Sequence, residues 1–225
     1  MKKEDFQKLE SLSDVTRMLG LPKPMHPLIT LIDNTNNHIE ADKFPHSHVL
    51  KFYKISYRAS LSGKLKYGQG YFDFDEGGLM FASPGQVIGR YEDTGENSGY
   101  TLLIHPDLFL SYPLAKKIRQ YGFFSYSANE ALHLSDNEKT IIVSIFKILQ
   151  AELNSRIDNF SQDVIVSQIE VLLNYATRFY KRQFITRKAV NNDCCRKWKI
   201  FWNSILRMKI NWVLDCLPCS FYLTG

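Results

Sequence analysis

The spacing of apolar residues changes once along this chain, and that change determines the fold class. From about Pro27 to His105, short runs rich in Tyr, Phe, Val and Ile alternate with turn-forming clusters such as DNTNN, DEGG and DTGENSG. Such runs are typical of the closely spaced strands of a sandwich or small barrel. After His105 the apolar residues recur every three or four positions, as on one face of a helix. The sequence therefore predicts an α+β protein whose first half is β.

The strand candidates can be read directly from the first half. They are LITLID, HVLKFYKISYRA, LKYGQGYFDF, GLMFASP, QVIGRYE and GYTLLIH. The second of these is the longest, and we treat it as one continuous strand. Between His105 and the long helices, PDLFLSYPLAKKIRQ predicts one or two short helices.

Two long amphipathic helices are predicted after residue 134. Ser135 and Glu138 have the spacing of a capping box, and a second helix begins near Ser161. The short polar connection SRIDN indicates an antiparallel helical hairpin. Its apolar stripes could pack only on the β domain, or one stripe could be shared with a second copy of the chain. In the second case the predicted dimer seam is formed by Ile165, Ile169, Leu172, Leu173, Ala176 and Tyr180.

All four cysteines and all three tryptophans lie in the last 32 residues. The formal net charge is +5, of which the residues from Cys194 onward contribute +4, so that residues 1–193 carry +1. A nearly neutral body argues against a broad phosphate-binding surface. The lack of cysteine in it gives no sign of a disulfide framework. No signal peptide and no apolar run of membrane-spanning length is evident, so we expect a cytoplasmic protein without membrane association.

The composition of residues 194–225 has three possible explanations. The four cysteines could form a zinc knot, and WKIFWNSILRMKINWVL could lie on a membrane surface. The third explanation is a frameshift. If the coding sequence is read one nucleotide earlier, each new codon takes the last base of one residue's codon and the first two bases of the next. The new codons that span Asp193-Cys194 and Cys194-Cys195 must then each encode Leu, whatever codons are used. The new codon that spans Trp198-Lys199 must encode Glu. The forced Leu and Glu positions favour the frameshift, because neither alternative accounts for them.

The histidine pair of FPHSH is the first candidate site in the β domain. His46 and His48 are two residues apart at the start of the longest predicted strand, so both side chains can point to one face. A metal-binding barrel of the cupin type would add a carboxylate and a third histidine. However, Val49 to Phe72 contains no Asp or Glu, and Val49 to Ile104 contains no His. Two imidazoles make a poor first coordination sphere, so we expect neither a metal nor a cofactor.

Three segments together resemble the AraC-type bacterial transcription regulators. They are PHSH at Pro45–His48, FASPGQV at Phe81–Val87 and LLNYATRFYKRQF at Leu172–Phe184, and the resemblance spans roughly residues 25–193. It implies a cupin-like β-barrel of the double-stranded β-helix type, followed by a helical hairpin for dimerisation. It also implies a barrel that either binds a small effector or simply supports dimerisation. For an effector we predict His46, His48, Tyr53 and Arg90 as hydrogen-bond donors.

The resemblance also implies a DNA-binding domain after the helices. Two helix-turn-helix units need about one hundred residues, and the 32 residues after Asp193 do not show their pattern. We predict an N-terminal segment (1–26), a cupin-like domain (27–134), dimerisation helices with a linker (135–193) and an out-of-frame tail (194–225). The expected function is effector binding and homodimerisation without catalysis, with DNA contacted only through the missing domain. The alternative is a small cupin-like enzyme or binding protein with a genuine C-terminal extension.

Overall fold

The computed structural model describes residues 7–36, 47–59, 64–67, 70–73, 77–89, 98–124, 132–155, 158 and 160–183. The fold below belongs to one compact unit, Met1–Tyr180. The described strands are β1 Gln7–Leu9, β2 Ile29–Asp33, β3 Ser47–Leu50, β4 Tyr53–Arg58, β5 Lys64–Tyr67, β6 Gly70–Asp73, β7 Gly78–Ala82, β8 Val87–Gly89, β9 Gly99–Ile104 and β10 Leu132–His133. The α-helices are α1 Leu12–Met18, α2 Leu114–Lys117, α3 Asp136–Asn154 and α4, residues 161–183. The predicted α+β class is confirmed.

The strands form three separate sheets. The largest has the order β10-β7-β4-β9-β2, with antiparallel neighbours throughout. A second sheet has the order β1-β3-β8, in which β1 runs parallel to β3. Strands β5 and β6 pair as a hairpin. Among the described residues the strands do not close into a barrel, so the cupin-like architecture remains a proposal.

The longest predicted strand is divided into two in the structure. β3 ends at Leu50 and β4 begins at Tyr53, with a bend at Lys51 and Phe52 between them. β3 pairs with β8 in the three-stranded sheet, whereas β4 lies between β7 and β9 in the five-stranded sheet. The chain therefore has to turn to pass from one sheet to the other. The amide of Gly85 donates a hydrogen bond to the carbonyl of Leu50, 2.8 Å away, at this corner.

LKYGQGYFDF was also predicted as one strand, and it is two. β5 and β6 are antiparallel, and Tyr67 pairs with Gly70, with two residues, Gly and Gln, between them in the sequence. Two-residue connections of this composition are typical of hairpins.

The five-stranded sheet separates two apolar cores. We call the face toward the three-stranded sheet the inner face and the opposite one the outer face. The inner core combines residues of both sheets with two from α1, and its members are Leu9, Leu12, Val15, Ile32, Leu50, Phe52, Met80, Ala82, Ile88 and Leu103. The outer core combines the sheet with residues 108–124, α3 and α4. A sheet buried on both faces in this way is the middle layer of a three-layer structure.

Both long helices begin where the sequence predicts. The capping box of α3 is present, with the Ser135 amide donating to Glu138 Oε2 over 2.9 Å. At the start of α4, Asp158 Oδ1 accepts hydrogen bonds from the amides of Phe160 and Ser161 at 2.8 and 2.9 Å. The Ser161 hydroxyl accepts from the Asp158 amide in return. These bonds satisfy amides that a first helical turn otherwise leaves without partners.

The segment between β9 and β10 attaches α4 to the sheet. Its aromatic side chains pack on the outer face, where Tyr53 meets Phe124 edge-on with ring centroids 5.0 Å apart. Toward α4, the Tyr112 hydroxyl donates to Asp163 over 2.5 Å and the Lys117 ammonium pairs with Glu170 at 2.6 Å. Since these polar contacts are exposed, we assign most of the attachment to the aromatic packing.

Glycine substitutions provide a test of the sheet geometry. Gly99 has φ +136°, and a Cβ there would overlap the carbonyl of Tyr57 on the neighbouring β4. Gly85 has φ +83° but open space around it. We predict that Gly99→Ala lowers the free energy of unfolding by about 3 kcal/mol or more, because a side chain clashes with backbone that cannot move away. Gly85→Ala, the control, should cost only about 1 kcal/mol for the left-handed conformation. Chemical denaturation measures both, and equal losses would contradict the close approach of β9 to β4.

Candidate functional site

The structure places two of the four predicted effector-binding residues, and it does not bring them together. His48 is buried on β3 and pairs with Ile88 of the inner core. Tyr53 is buried in the outer core, in contact with Phe109 and Phe124. Burial raises the pKa of the Tyr53 hydroxyl, and the Arg119 guanidinium partly offsets this effect. His46 and Arg90 lie outside the described residues. A single pocket therefore does not contain both His48 and Tyr53.

Residue alternation along the chain explains this separation. Side chains on a strand point to alternate faces, so residues an even number of positions apart share a face. His48 and Tyr53 are five positions apart, whereas His48 and Lys54 are six apart. The alternation continues through the bend, because Leu50 and Phe52 both belong to the inner core. The even-number rule, applied to the sequence from His48 onward, would have excluded Tyr53 from the face of His48 and placed Lys54 on it.

A polar cluster lies on the inner face in the middle of the five-stranded sheet. In the sheet register, Lys54 stands opposite Ala82 and Leu103, and Ser56 stands opposite Met80 and Thr101. Directly opposed residues on antiparallel strands point to the same face, and Ala82, Met80 and Leu103 belong to the inner core. We name Asn34, Lys54, Ser56, Arg58 and Thr101 the inner polar cluster. Sequence reasoning missed all five of these residues.

Hydrogen bonds connect the uncharged members of the cluster. The Asn34 side-chain amide donates to the Thr101 hydroxyl over 3.2 Å, and the hydroxyls of Ser56 and Thr101 are 3.3 Å apart. All three residues are buried, as is Arg58. Polar groups buried in an apolar core carry a desolvation cost that these bonds only partly offset. Because this cost lowers stability, a buried polar cluster is often associated with a function such as ligand binding.

Lys54 is the most unusual member of the inner polar cluster. Burial, and to a smaller extent the positive charge of Arg58, together lower the pKa of its ammonium to about 7. The side chain of Lys54 makes no ion pair and no hydrogen bond with any residue in the described part of the chain. Its side chain nevertheless retains some accessible surface. This combination is expected for a side chain that lines an enclosed space rather than one packed tightly on all sides.

Within the described part of the chain, the charged residues of the inner polar cluster, Lys54 and Arg58, are both cationic. Asp33 is the only acidic residue in the strands of the five-stranded and three-stranded sheets. It pairs with Tyr100, which packs against the outer core, so it lies on the outer face. Within the described ranges, no three His, Cys, Asp or Glu side chains are close enough together to hold a metal ion.

The predicted dimer residues are part of the chain's own core. Ile165, Ile169, Leu172, Leu173 and Ala176 are buried in the outer core by contacts within a single chain, and Tyr180 packs partly buried against it. The five buried side chains thus contact their own chain, and their predicted role in a dimer stays a prediction. The exposed apolar residues of this region are instead Ile148, Phe160, Val164 and Val171. Dimerisation itself stays a prediction.

A second concave site lies at the free edge of β2. A cleft of about 160 Å³ is lined by the segment after α1, by β2 and by the last turn of α3, including Lys23, His26 and Gln150. The Nδ1 atom of His26 accepts a hydrogen bond from the Leu28 amide, and burial lowers the pKa of the imidazole. The cleft thus presents one lysine and one histidine whose pKa is lowered by burial.

Comparison with known proteins yields no match, either among family models or among curated proteins. Within the described part of the chain, none of the helices has the length and apolar character required to span a bilayer. The functional interpretation therefore rests on the residues and their geometry.

We predict that Lys54→Met stabilises the protein most at low pH. Between the folded pKa of about 7 and the usual value of 10.5, the unfolded chain binds more protons than the folded one, so stability increases with pH. The substitution should raise the free energy of unfolding by a few kcal/mol at pH 6.5, and this gain should shrink by at most about 1.4 kcal/mol per pH unit toward pH 9.

Urea titrations at pH 6.5, 7.5 and 9 measure this effect, with Lys147→Met on the exposed side of α3 as the matched control. The control should show no such pH-dependent gain. A Lys54→Met gain that is the same at all three pH values would contradict a buried ammonium.

Proposed function

We propose that this chain is the effector-binding and dimerisation region of an AraC-type transcription regulator. The observation that carries the proposal is the inner polar cluster, a set of buried cationic and hydroxyl groups between two sheets, in a domain followed by two long helices. A lysine whose side chain has no partner among the described residues does not help to stabilise a core, whereas a ligand-binding site can use it. The segments FASPGQV and LLNYATRFYKRQF support the family assignment, and a cupin-like closure of the sheets is part of the proposal.

A frameshift after Asp193 explains the tail in this proposal. The codons for Asp193-Cys194, Cys194-Cys195 and Trp198-Lys199 encode Leu, Leu and Glu when read one nucleotide earlier. Leu and Glu are strong helix formers, as a linker leading into helix-turn-helix units requires. The DNA-reading helices then belong to the shifted frame. Residues 194–225 lie outside the described part of the structure.

The gene itself tests the frameshift. The shifted frame should stay open past the present stop codon and encode two helix-turn-helix units. Inserting one nucleotide after codon 193 should then yield a longer protein that binds its own promoter at least tenfold more tightly than random DNA, about 1.4 kcal/mol. The 225-residue chain should show no such preference near physiological salt, since phosphate contacts alone do not read sequence. A shifted frame that closes within a few codons would overturn this part of the proposal.

The proposed homodimer uses the exposed side of α4. Phe160 is 72% exposed, and Val164 and Val171 are 38% and 39% exposed. Spacings of four and seven residues place these three side chains along one stripe of the helix. This stripe points away from the buried residues of α4, such as Leu173. A second chain that covered it would remove apolar surface from water.

We predict that Val171→Glu weakens the dimer at least tenfold without unfolding the chain, because it places a charge in an apolar contact between subunits. Light scattering at tens of micromolar should give twice the monomer mass for the unmodified chain and a lower mass for the variant. Leu173→Glu is the comparison, since Leu173 is fully buried within the chain and this change should unfold it, as circular dichroism will show. A strictly monomeric unmodified chain would contradict the proposal.

A further inference from the structure

We propose that the cleft at the free edge of β2 binds a small carboxylate with a short apolar body. The cleft has a volume of about 160 Å³, and the described residues that line it include none of the inner polar cluster. A cavity of about 150 Å³ is large enough to hold benzene, so a ligand of roughly six to eight non-hydrogen atoms matches this cleft. The proposal goes beyond the proposed effector-binding function and does not depend on it.

The backbone of β2 supplies hydrogen-bond donors at the cleft. The His105 amide donates to the Leu28 carbonyl over 2.8 Å, so the backbone groups of Leu28 point toward β9. Backbone groups of successive strand residues point to opposite sides, so those of Ile29 and Leu31 point away from β9. Among the described strands β2 pairs only with β9, and both Ile29 and Leu31 line the cleft. Their amides are therefore available to an anion.

Two side chains of the segment after α1 add donors of their own. The Nδ1 atom of His26 accepts from the Leu28 amide over 3.1 Å, so the hydrogen of the neutral ring is on Nε2, which can donate. The Lys23 ammonium provides a full positive charge and has no ion-pair partner among the described residues. Among the described residues that line the cleft, none is Asp or Glu. Donors and charge together select an anion over a cation.

The position of α3 orients the ligand within the cleft. The C-terminal end of this helix carries a partial negative charge, which disfavours an anion beside it. Leu153, in the last turn of α3, and Leu21, after α1, line the cleft with apolar surface. The carboxylate therefore lies toward Lys23 and His26, and the apolar body packs toward Leu153. A short branched-chain carboxylate satisfies both ends of the cleft.

Isovalerate and isovaleramide are a matched pair of probes for this test. They have the same branched body and nearly the same shape, and they differ in a carboxylate against a neutral amide. We expect the full 225-residue chain to bind isovalerate at least tenfold more tightly than isovaleramide in NMR titrations at pH 7.5 and low salt. The amide signals of Ile29 and Leu31 should move in a saturable manner with isovalerate, which locates the binding site directly.

Two lysine variants attribute the preference for charge to the cleft. Lys23→Met should reduce the affinity for isovalerate at least tenfold and leave that for isovaleramide unchanged. Lys23 is exposed, so this substitution should not unfold the chain. Lys116→Met is the matched control, because Lys116 is an exposed lysine of α2 that is not among the residues lining the cleft. It should bind both probes as the unmodified chain does.

Three outcomes would overturn the inference. Equal binding of the two probes would show that the cleft does not select for a carboxylate. Binding of isovalerate that Lys23→Met leaves intact, or that moves amide signals away from β2, would place the anion elsewhere on the chain. Binding of neither probe at millimolar concentration would reject a small carboxylate site. The frameshift and light-scattering experiments test the regulator proposal separately, so each proposal can fail without the other.

Discussion

Strand β4 is the element on which the rest of the structure depends. It pairs with β7 on one side and β9 on the other, and its side chains contribute to both faces of the central sheet. Tyr53, Ile55 and Tyr57 point into the outer core, which the helices cover. Lys54, Ser56 and Arg58 point to the inner face. A strand buried on both faces is ordinarily apolar throughout. The polar alternation of β4 is therefore a local departure from what stability alone would select, and such departures often mark binding sites.

Local signals in the sequence predicted much of the fold. The capping box at Ser135 and the apolar spacing behind it correctly predicted α3, and the turn clusters correctly separated β2, β7, β8 and β9. The long strand and the GQG hairpin were missed for a physical reason. Whether a run of β-forming residues stays straight depends on which sheet each part pairs with, and pairing is a long-range property. The bend at Lys51 and Phe52 has no turn-forming residue to indicate it.

The residues predicted from the sequence as a site differ from those of the inner polar cluster. Histidines draw attention as ligands, and Tyr53 was grouped with them although its odd separation from His48 puts it on the other face. Lys54 sits in the run FYKISYR, where a lysine is ordinarily taken as a solvent-facing residue. Only the layer of β1, β3 and β8 makes that face an interior one, and sequence periodicity does not reveal which face a second sheet will cover. His46 and Arg90 fall outside the described residues, so their predicted roles stay open.

The lowered pKa of Lys54 also has a consequence for chemical reactivity. An amine with a pKa of about 7 is uncharged in roughly half of the molecules at neutral pH, whereas an ordinary surface lysine is uncharged in fewer than about one in a thousand. The uncharged amine is the form that attacks carbonyl and acyl groups. A limiting amount of a small amine-reactive reagent that can enter between the sheets would therefore modify Lys54 ahead of the other lysines. The inner face of this protein would thus differ from its surface in how readily a lysine reacts.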